Sequence, residues 1–509
     1  MSECVLNQVH SLSAFKSGRS SQNMWTALLV TALILSVVRY YRTIWSLCPG
    51  PPSIPILGAI YLIFNSEGPK ALIDKSLLKY GDIARIEFGM LRLYVVNGFE
   101  MAKELFNKDC TSHRPTTWYQ REIKGFHGQV LGIIEASGQP WVEQRRFGLK
   151  NLKDFGFGRK SLDLVIQEEA DLLIQSLLRE NQEKNEVLIA NTFNAPIVNA
   201  LWQIVASNRL DPHDEATKDI MEKLELHFKS RMEIIDFAPL IRPYLPISKS
   251  SQAILELKEI IRKEILTHEQ DFDPNAPPRD FIDTYLTEIK RTEGSPVTNF
   301  HREQLVTVCL DFFLAGSETT STTLTWSVIL MAIHPEIQEK CYQEIHQTIG
   351  SHPPMTAHLK DLTYCHATML EVQRISATVP ATLPHITTEE IRMDGYVIPK
   401  DSLILANLRL FLHDAKAFPN PKEFNPSRFL DDNGKIVKPD QFVPFGFGKR
   451  ICMGESLAKS ELFIFLTSFI QKTRIGASKS REPLDIANHT VGMTCIPDPF
   501  YVVMEPRKS

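Results

Sequence analysis

Paired cysteines, a basic surface and internal linkers are all missing from this chain of 509 residues. Its eight cysteines show no paired spacing, which disfavours a disulfide framework and fits a reducing compartment. The net charge is −4 and no basic patch alternates with aromatic residues, so we expect no nucleic-acid partner. Length alone suggests about three domains. Because no linker, repeat or low-complexity tract divides residues 60–509, we predict one large domain there.

Charge is absent from one stretch near the N-terminus. No charged residue lies between Arg19 and Arg39, and a segment of this length is about enough to cross a bilayer as a helix. A cleaved signal peptide is the competing interpretation, but no small-x-small cleavage pattern precedes Arg39. We therefore predict a membrane anchor at about residues 22–40. Cations flank it on both sides, so charge leaves its orientation open.

A proline-rich segment follows the predicted anchor. Residues 48–55 read Cys-Pro-Gly-Pro-Pro-Ser-Ile-Pro, which is too many prolines for the interior of a helix or a sheet. Such a segment forms a stiff spacer. The predicted organisation is therefore an N-terminal segment with the anchor (residues 1–48), a hinge (49–58) and a globular body (59–509).

The most specific pattern surrounds a single cysteine near the C-terminus. Residues 445–454 read Phe-Gly-Phe-Gly-Lys-Arg-Ile-Cys-Met-Gly, and an apolar helical stretch follows. Glycines let the backbone approach a bulky flat ligand. The start of a helix places N–H groups beside the sulfur, which favours the thiolate, the form that binds a metal or haem iron. We therefore predict that Cys452 is a ligand rather than an ordinary buried cysteine.

This pattern resembles the haem-ligand signature of the cytochrome P450 family, in which Phe, Gly, Arg, Cys and Gly recur at these offsets. The resemblance implies that Cys452 is the proximal iron ligand of haem b (iron protoporphyrin IX). Phe445 would lie against the haem and the sulfur, and Arg450 would pair with a haem propionate. Gly446 is a further haem contact, and Gly448 and Gly454 would make room for the ring. Residues 59–509 would be the haem-thiolate catalytic domain.

A long apolar stretch, residues 305–333, contains no proline and predicts one buried helix. Its segment 315–320, Ala-Gly-Ser-Glu-Thr-Thr, contains poor helix formers and hydroxyls that can bond the carbonyl one turn earlier. Without other motifs, that structural role is about as good an interpretation as a catalytic one. The resemblance implies that Ala315 contacts the haem, and that Thr319 and Glu318 handle the protons that O–O cleavage needs. Thr319 would open a groove in the helix over the haem.

A third motif is Glu371-Val372-Gln373-Arg374. A spacing of three places the carboxylate and the guanidinium on one helix face, where they can pair. On its own this would be a solvated surface pair of little energetic weight. The resemblance implies instead a buried triad of Glu371, Arg374 and Arg428 that holds the loop carrying the haem cysteine. Many family members have Glu where this chain has Ser427, but the arginine is retained.

Three further residues are assigned to the haem propionates by the resemblance. Trp141 and Arg145 are four residues apart and would share one face of a helix. His385, in Leu383-Pro384-His385, stands where many relatives carry Arg and others carry His. A single histidine is otherwise more often an ordinary surface or core residue.

The predicted fold is mainly α with small β-sheets, the cytochrome P450 fold, preceded by one N-terminal transmembrane helix. The resemblance extends from about residue 50 to the end of the chain. Hydrophobic patterns place helices at 162–179, 219–228, 254–269 and 305–333. They place a hairpin at 83–97 that turns at Phe88-Gly89-Met90, a second β region at 390–405 with a turn at Asp394-Gly395, and a terminal β element at 484–504.

Basic residues cluster near two of these motifs. They are Arg145, Arg146, Lys150, Lys153, Arg159, Lys160, Lys449 and Lys459. A run of like charges is usually a solvated face. The resemblance suggests a surface that docks an NADPH-dependent flavoprotein reductase, with cytochrome b5 as an optional second donor. Family members with such an anchor and hinge sit on the endoplasmic reticulum, with the catalytic domain in the cytosol.

The resemblance implies a monooxygenase that inserts one oxygen atom of O2 into a lipophilic substrate by hydroxylation or epoxidation. The predicted pocket walls are apolar: Trp118, Phe126, Val130, Leu226–Phe237, Phe312, Ala315, Val379–Leu383 and Met493. Steroids, terpenoids, fatty acids and xenobiotics all remain open as substrates. Two other functions also remain open. One is a haem-thiolate isomerase or dehydratase, against which Glu318 and Thr319 argue, and the other is a non-enzymatic haem- or sterol-binding membrane protein.

Overall fold

The computed structural model describes residues 24–44, 46–55, 57–59, 61, 77–88, 91–154, 160–212, 214–229, 242–295 and 298–507. Helices dominate these ranges. In chain order they are α1 (Met24–Ile44), α2 (Phe99–Leu105), α3 (Gly138–Asp154), α4 (Lys160–Lys184), α5 (Asn194–Ala206), α6 (Glu215–Lys229), α7 (Lys249–Asp271), α8 (Phe281–Thr292), α9 (Arg302–Ile333), α10 (Pro335–Thr348), α11 (Thr363–Ser376), α12 (Leu408–Leu412) and α13 (Glu455–Lys472).

Short strands form small sheets beside the helices. The strands are β1 (Ile83–Phe88), β2 (Leu91–Val96), β3 (Val187–Ile189), β4 (His385–Ile386), β5 (Ile391–Met393), β6 (Tyr396–Ile398), β7 (Leu403–Ala406), β8 (Thr473–Ala477), β9 (His489–Val491), β10 (Cys495–Pro497) and β11 (Phe500–Pro506). The largest sheet has the order β1-β2-β7-β4, and β3-β11-β8 form a second one. The pairs β5-β6 and β9-β10 are hairpins. A mainly α fold with small sheets is therefore confirmed.

The predicted elements agree with the observed ones to within a few residues. The first hairpin forms as predicted in β1 and β2, although Gly89 and Met90 of its turn lie outside the described residues. The second turn contains Asp394 (φ 49°) and Gly395 (φ 79°). Two successive residues with positive φ are typical of the tight hairpin turn that Asp-Gly sequences favour.

Helix α1 coincides with the predicted anchor from Met24 onward, and the residues before it lie outside the described ranges. It has a mean hydropathy of 1.5 over its most apolar window, and none of that window is buried inside the protein. A helix of this length and composition is long enough to cross a bilayer. The boundaries of the three predicted regions at 48 and 58 stay predictions.

Helix α9 is the central element of the body. It packs against α5, α7, α11 and α13, so nearly every side chain along it is buried. The helix ends where Pro335 begins α10, since proline cannot continue a helix. Ala315 is exposed, and Gly316 and Thr319 are half-buried. Between the helix ends, the accessible part of α9 therefore lies within the motif at residues 315–320.

Candidate active site

The cysteine loop is held by its own backbone. The Cys452 N–H donates to the carbonyl oxygen of Phe445 at 3.1 Å, and α13 begins three residues later at Glu455. Gly446 and Gly448 both have φ of 73°, a conformation that favours glycine. A Cβ on Gly448 would also collide with the carbonyl oxygen of Phe106. The glycines therefore shape the loop itself.

Opposing influences act on the pKa of the Cys452 thiol. Desolvation raises its pKa, whereas hydrogen bonds from the N–H groups of Gly454 and Glu455 lower it. The net direction of the pKa shift is upward, although the Cys452 side chain is exposed. A Cβ on Gly454 would lie 4.0 Å from the sulfur, which shows how closely this glycine borders it. Phe445 lies under the Lys459 ammonium, 5.6 Å from the ring centre.

Three residues predicted to bind the propionates lie together at this loop. Trp141 and Arg145 come from α3, and Arg450 belongs to the loop itself. The guanidinium of Arg145 donates to the Ile451 carbonyl oxygen at 2.6 Å, which brings α3 against the residue before Cys452. Arg450 donates to the carbonyl oxygens of Ser112, Ile133 and Ala136. Its guanidinium also stacks 3.8 Å from the ring centre of Trp141. The structure therefore brings Trp141, Arg145 and Arg450 together beside the cysteine.

His385 is also buried. Its Nδ1 lies 2.6 Å from the carbonyl oxygen of Thr111. Desolvation and then the charge of Arg114 hold the pKa of His385 well below 6.5, so the ring is neutral and Nδ1–H is the donor to Thr111. In that state Nε2 is an acceptor. His385 can therefore donate to a carboxylate only after gaining a second proton.

The arginines of this region form a cationic cluster that suits an anion. Desolvation, followed by the charges of Arg114 and Arg145, lowers the pKa of Arg450 to about 8. Desolvation lowers the pKa of Arg114 to about 10. Among the described residues, no acceptor reaches the buried Nε1 of Trp141. A carboxylate offsets the repulsion between neighbouring cations and accepts a hydrogen bond from an N–H group that lacks a partner. These residues therefore fit the two propionates of haem.

Helix α9 presents Thr319 and Glu318 in different directions. The Thr319 hydroxyl donates to the carbonyl oxygen of Ala315 at 2.9 Å, which is the back-bond typical of a helical threonine. The buried Glu318 carboxylate accepts from Asn194 at 3.3 Å and from the Thr322 hydroxyl at 3.2 Å. Neighbours in sequence are about 100° apart around a helix. The side chains of Glu318 and Thr319 therefore belong to different surfaces of α9.

The predicted triad comes together in full. Both nitrogens of one edge of the Arg374 guanidinium donate to Glu371, at 2.7 and 2.8 Å. Arg428 donates to the same carboxylate at 3.0 Å. Glu371 and Arg374 are fully buried. Arg374 also donates to the carbonyl oxygens of Leu412 and Pro421, so the triad ties α11 to the chain that leads to the cysteine loop.

Comparison with known proteins agrees with this geometry. The family model for "Cytochrome P450" matches residues 48–504. Cytochrome P450 2C28 of Mesocricetus auratus is 34% identical over 485 residues, which cover 93% of this chain and 97% of that protein. Cytochrome P450 2J2 of Homo sapiens is 36% identical over 435 residues, 83% of this chain and 84% of that protein. This chain belongs to the cytochrome P450 family.

Membership fixes the reaction class and the cofactor. The chain is a haem-thiolate monooxygenase, an oxidoreductase whose cofactor is haem b. Its animal relatives are microsomal membrane proteins that use O2, lipophilic substrates and, in general, an NADPH-dependent reductase. Helix α1 is consistent with such a membrane attachment.

The predicted basic surface of this P450 is partly neutralised. Arg146, Lys150 and Lys153 are exposed on α3. Lys449 forms an ion pair with Asp109, and Lys459 forms one with Glu455. Arg159 and the side chain of Lys160 lie outside the described residues. Among the described cations of this surface, those exposed without a recorded ion pair are therefore on α3.

The predicted pocket walls are only partly described. Trp118 is covered by the guanidinium of Arg242, 4.1 Å from the ring centre. Phe312 packs edge-on against Phe281, and Phe126 is 40% exposed. Residues 230–237 of the predicted stretch lie outside the described residues.

Sequence reasoning missed several residues at the site. Arg114 donates to the carbonyl oxygens of Ile134, Leu383 and Pro384, yet a lone arginine before a proline carries no signal in sequence. Asn194, which binds Glu318, lies 124 positions away from it. Such partners meet only in the fold, because their spacing follows no helix or strand period.

Proposed function

We propose that this P450 inserts one oxygen atom of O2 into a C–H or C=C bond of a lipophilic substrate. Electrons would come from an NADPH-dependent flavoprotein reductase, with cytochrome b5 as an optional second donor. Bound haem supplies the oxygen-activating chemistry, and the chain positions and tunes it. Among the residues of the chain, Cys452 is the proposed iron ligand. Phe445, Gly446 and Gly454 are the proposed haem contacts next to it.

The observation that carries this proposal is the meeting of the cysteine loop with the cationic cluster. Arg145 donates to the carbonyl oxygen of Ile451, the residue before Cys452, and Arg450 stands two residues before Cys452. Among the described residues no acceptor reaches the Trp141 Nε1, and the ring of Trp141 lies against Arg450. A sulfur ligand beside donors for two carboxylates would suit the iron and the two propionates of haem. His385 would join the propionate donors once protonated.

Proton delivery is assigned to helix α9. Thr319 and Ala315 lie on the part of α9 that is not buried, and the Thr319 hydroxyl can exchange its bond to the Ala315 carbonyl oxygen for one to a water or a ligand. Glu318 supplies an ionisable group one residue away. Cleavage of an O–O bond with release of water consumes protons, so a hydroxyl and a carboxyl near the reacting oxygen promote it.

Structural roles and location complete the proposal. Glu371, Arg374 and Arg428 hold the segment that carries Cys452. The exposed cations of α3 would attract an acidic reductase, with an encounter rate that falls as salt rises. We place the protein in the endoplasmic reticulum membrane, with α1 as a single-pass anchor and the catalytic domain in the cytosol.

A carbon monoxide difference spectrum of the reduced, membrane-bound protein tests the iron ligand. We expect the far-red Soret band of thiolate-ligated haem, and its loss in Cys452→Ala. Cys110→Ala is the matched control, because Cys110 is also a partly accessible free cysteine and should leave the band unchanged. A band typical of imidazole ligation in the natural protein, or an intact thiolate band in Cys452→Ala, would contradict the assignment.

A further inference from the structure

Helix α5 carries two buried asparagines that each bind a glutamate. The Asn194 amide nitrogen donates to Glu318 at 3.3 Å, and the Asn199 amide nitrogen donates to Glu169 at 3.3 Å. Both asparagines are less than 4% exposed. Only the first of these glutamates lies in the proton-handling motif of α9. Asn199, whose glutamate lies outside that motif, therefore offers a comparison on the same helix.

The orientation of the Asn194 amide is set by its partners. Its nitrogen faces the Glu318 carboxylate, which can only accept while ionised. Its oxygen accepts from the hydroxyl of Ser321. A flipped amide would place two acceptors against each other at Glu318. Asn194 therefore contacts two residues of α9 that are three positions apart, and it fits both in one orientation.

The packing of α5 on α9 keeps this contact short. A Cβ on Gly316 would lie 2.6 Å from the Leu201 Cδ2 atom, so the absence of a side chain at Gly316 allows the two helices to approach. Leu201 and Asn194 both belong to α5. Glycine at position 316 and asparagine at position 194 therefore act together in holding the Glu318 carboxylate against α5.

We propose that Asn194 is a positioning residue for proton delivery, in that it holds the Glu318 carboxyl group, together with Thr322, on the α5 side of α9. This rests on the proposed role of Glu318 and Thr319. Fixing the carboxyl group sets its distance from the Thr319 surface and so governs how efficiently protons reach oxygen. Loss of the amide frees the group to adopt other rotamers. O2 that has gained two electrons takes up two protons whether it leaves as hydrogen peroxide or is cleaved with release of water. A proton that is not directed to the outer oxygen atom therefore favours release as hydrogen peroxide.

The test uses the haem-loaded, full-length protein with reductase and NADPH, and needs no substrate. Hydrogen peroxide released and O2 consumed are measured as a function of pH, and the O2 that does not appear as peroxide gives the water formed. We expect Asn194→Ala to raise the ratio of peroxide to water by roughly threefold to tenfold, the range that loss of one hydrogen bond corresponds to. Asn199→Ala is the matched control and should behave as the natural protein.

A double-mutant cycle shows whether Asn194 acts through Glu318. In a Glu318→Gln background, Asn194→Ala should have no further effect on the peroxide ratio. An equal effect in both backgrounds would overturn the proposal, since Asn194 would then act elsewhere. So would a peroxide ratio in Asn194→Ala that equals that of Asn199→Ala.

Infrared spectra supply a readout that does not depend on turnover. The difference between the natural protein and Glu318→Gln isolates the carboxyl band of Glu318. The same difference in the Asn194→Ala background should show this band at a shifted frequency, and an unshifted band would overturn the proposal. If Glu318→Gln releases no more peroxide than the natural protein, the proton role of Glu318 fails and this proposal fails with it, while the assignment of Cys452 is unaffected.

Discussion

Two buried glutamates on neighbouring helices have different kinds of partner. Glu371 on α11 accepts from the guanidinium groups of Arg374 and Arg428 and from the Asn425 N–H. Glu318 on α9 accepts from an amide and a hydroxyl. Charge-assisted hydrogen bonds from two arginines hold a carboxylate firmly in one place. The hydrogen bonds from Asn194 and Thr322 come from uncharged groups, each of which holds a carboxyl group less firmly than a guanidinium does. This suits the role in proton transfer that we propose for Glu318.

The largest effect should follow from removing one of the arginines that bind Glu371. Arg374→Ala leaves a fully buried carboxylate with less of its counter-charge, so we expect a loss of about 3–5 kcal/mol in the free energy of unfolding and little haem incorporation. The CO difference spectrum and chemical unfolding measure both.

Arg291→Ala is the matched control for this change. Arg291 also pairs with a glutamate three residues earlier on a helix, at 2.6 Å, but its side chain is 68% exposed. We expect a loss of less than about 1 kcal/mol there. Normal haem content in Arg374→Ala would show that the triad does not hold the cysteine loop.

A second experiment makes the same change to both acids. Glu371→Gln keeps the shape of the side chain but leaves two arginines without their anion, so we expect it to cost about 3 kcal/mol or more. Glu318→Gln should cost about 1 kcal/mol, because a neutral amide can keep part of the bonding to Asn194 and Thr322. Urea unfolding of the two variants gives the comparison directly. Equal losses would mean that the two sites hold their acids in the same way.

A third experiment sharpens the comparison by moving α5 away from α9. Gly316→Ala adds a methyl group 2.6 Å from Leu201 Cδ2, and such overpacking typically costs about 1–3 kcal/mol. Thermal unfolding should show this loss, and Leu201→Ala in the same protein should recover part of it. Gly476→Ala is the control without crowding, because φ there is not positive and a Cβ would meet nothing within 4 Å. No recovery by Leu201→Ala would place the crowding elsewhere.

The two acids, Glu371 and Glu318, also differ in how much of their surroundings can be predicted from the sequence. The pair Glu371 and Arg374 follows from helix spacing, and the cysteine loop follows from a contiguous motif, so both are predictable from the amino-acid sequence alone. The long helix α9 and the β1–β2 hairpin follow from hydrophobic period and turn residues in the same way. Glu318 could be predicted as a site residue from its motif, but its partner Asn194 could not. Asn194 lies on a helix distant in sequence, and the packing of that helix on α9 depends on Gly316 and Leu201. Arg114 was missed for the same reason.

The smallest expected effect concerns a third buried acid, whose partner can titrate. Asp280 is fully buried and lies 2.9 Å from His268 Nε2. Desolvation lowers the pKa of His268, but its bonds to Asp280 and Glu264 outweigh this and raise the pKa above 6.5. A raised pKa in the folded state adds stability that is complete below pH 6.5 and disappears as the pH rises through the folded value. The stability difference between the natural protein and His268→Gln should therefore shrink from pH 6 to pH 9 in urea unfolding. A His268→Gln difference that grew with pH would show that the histidine is neutral in the folded protein.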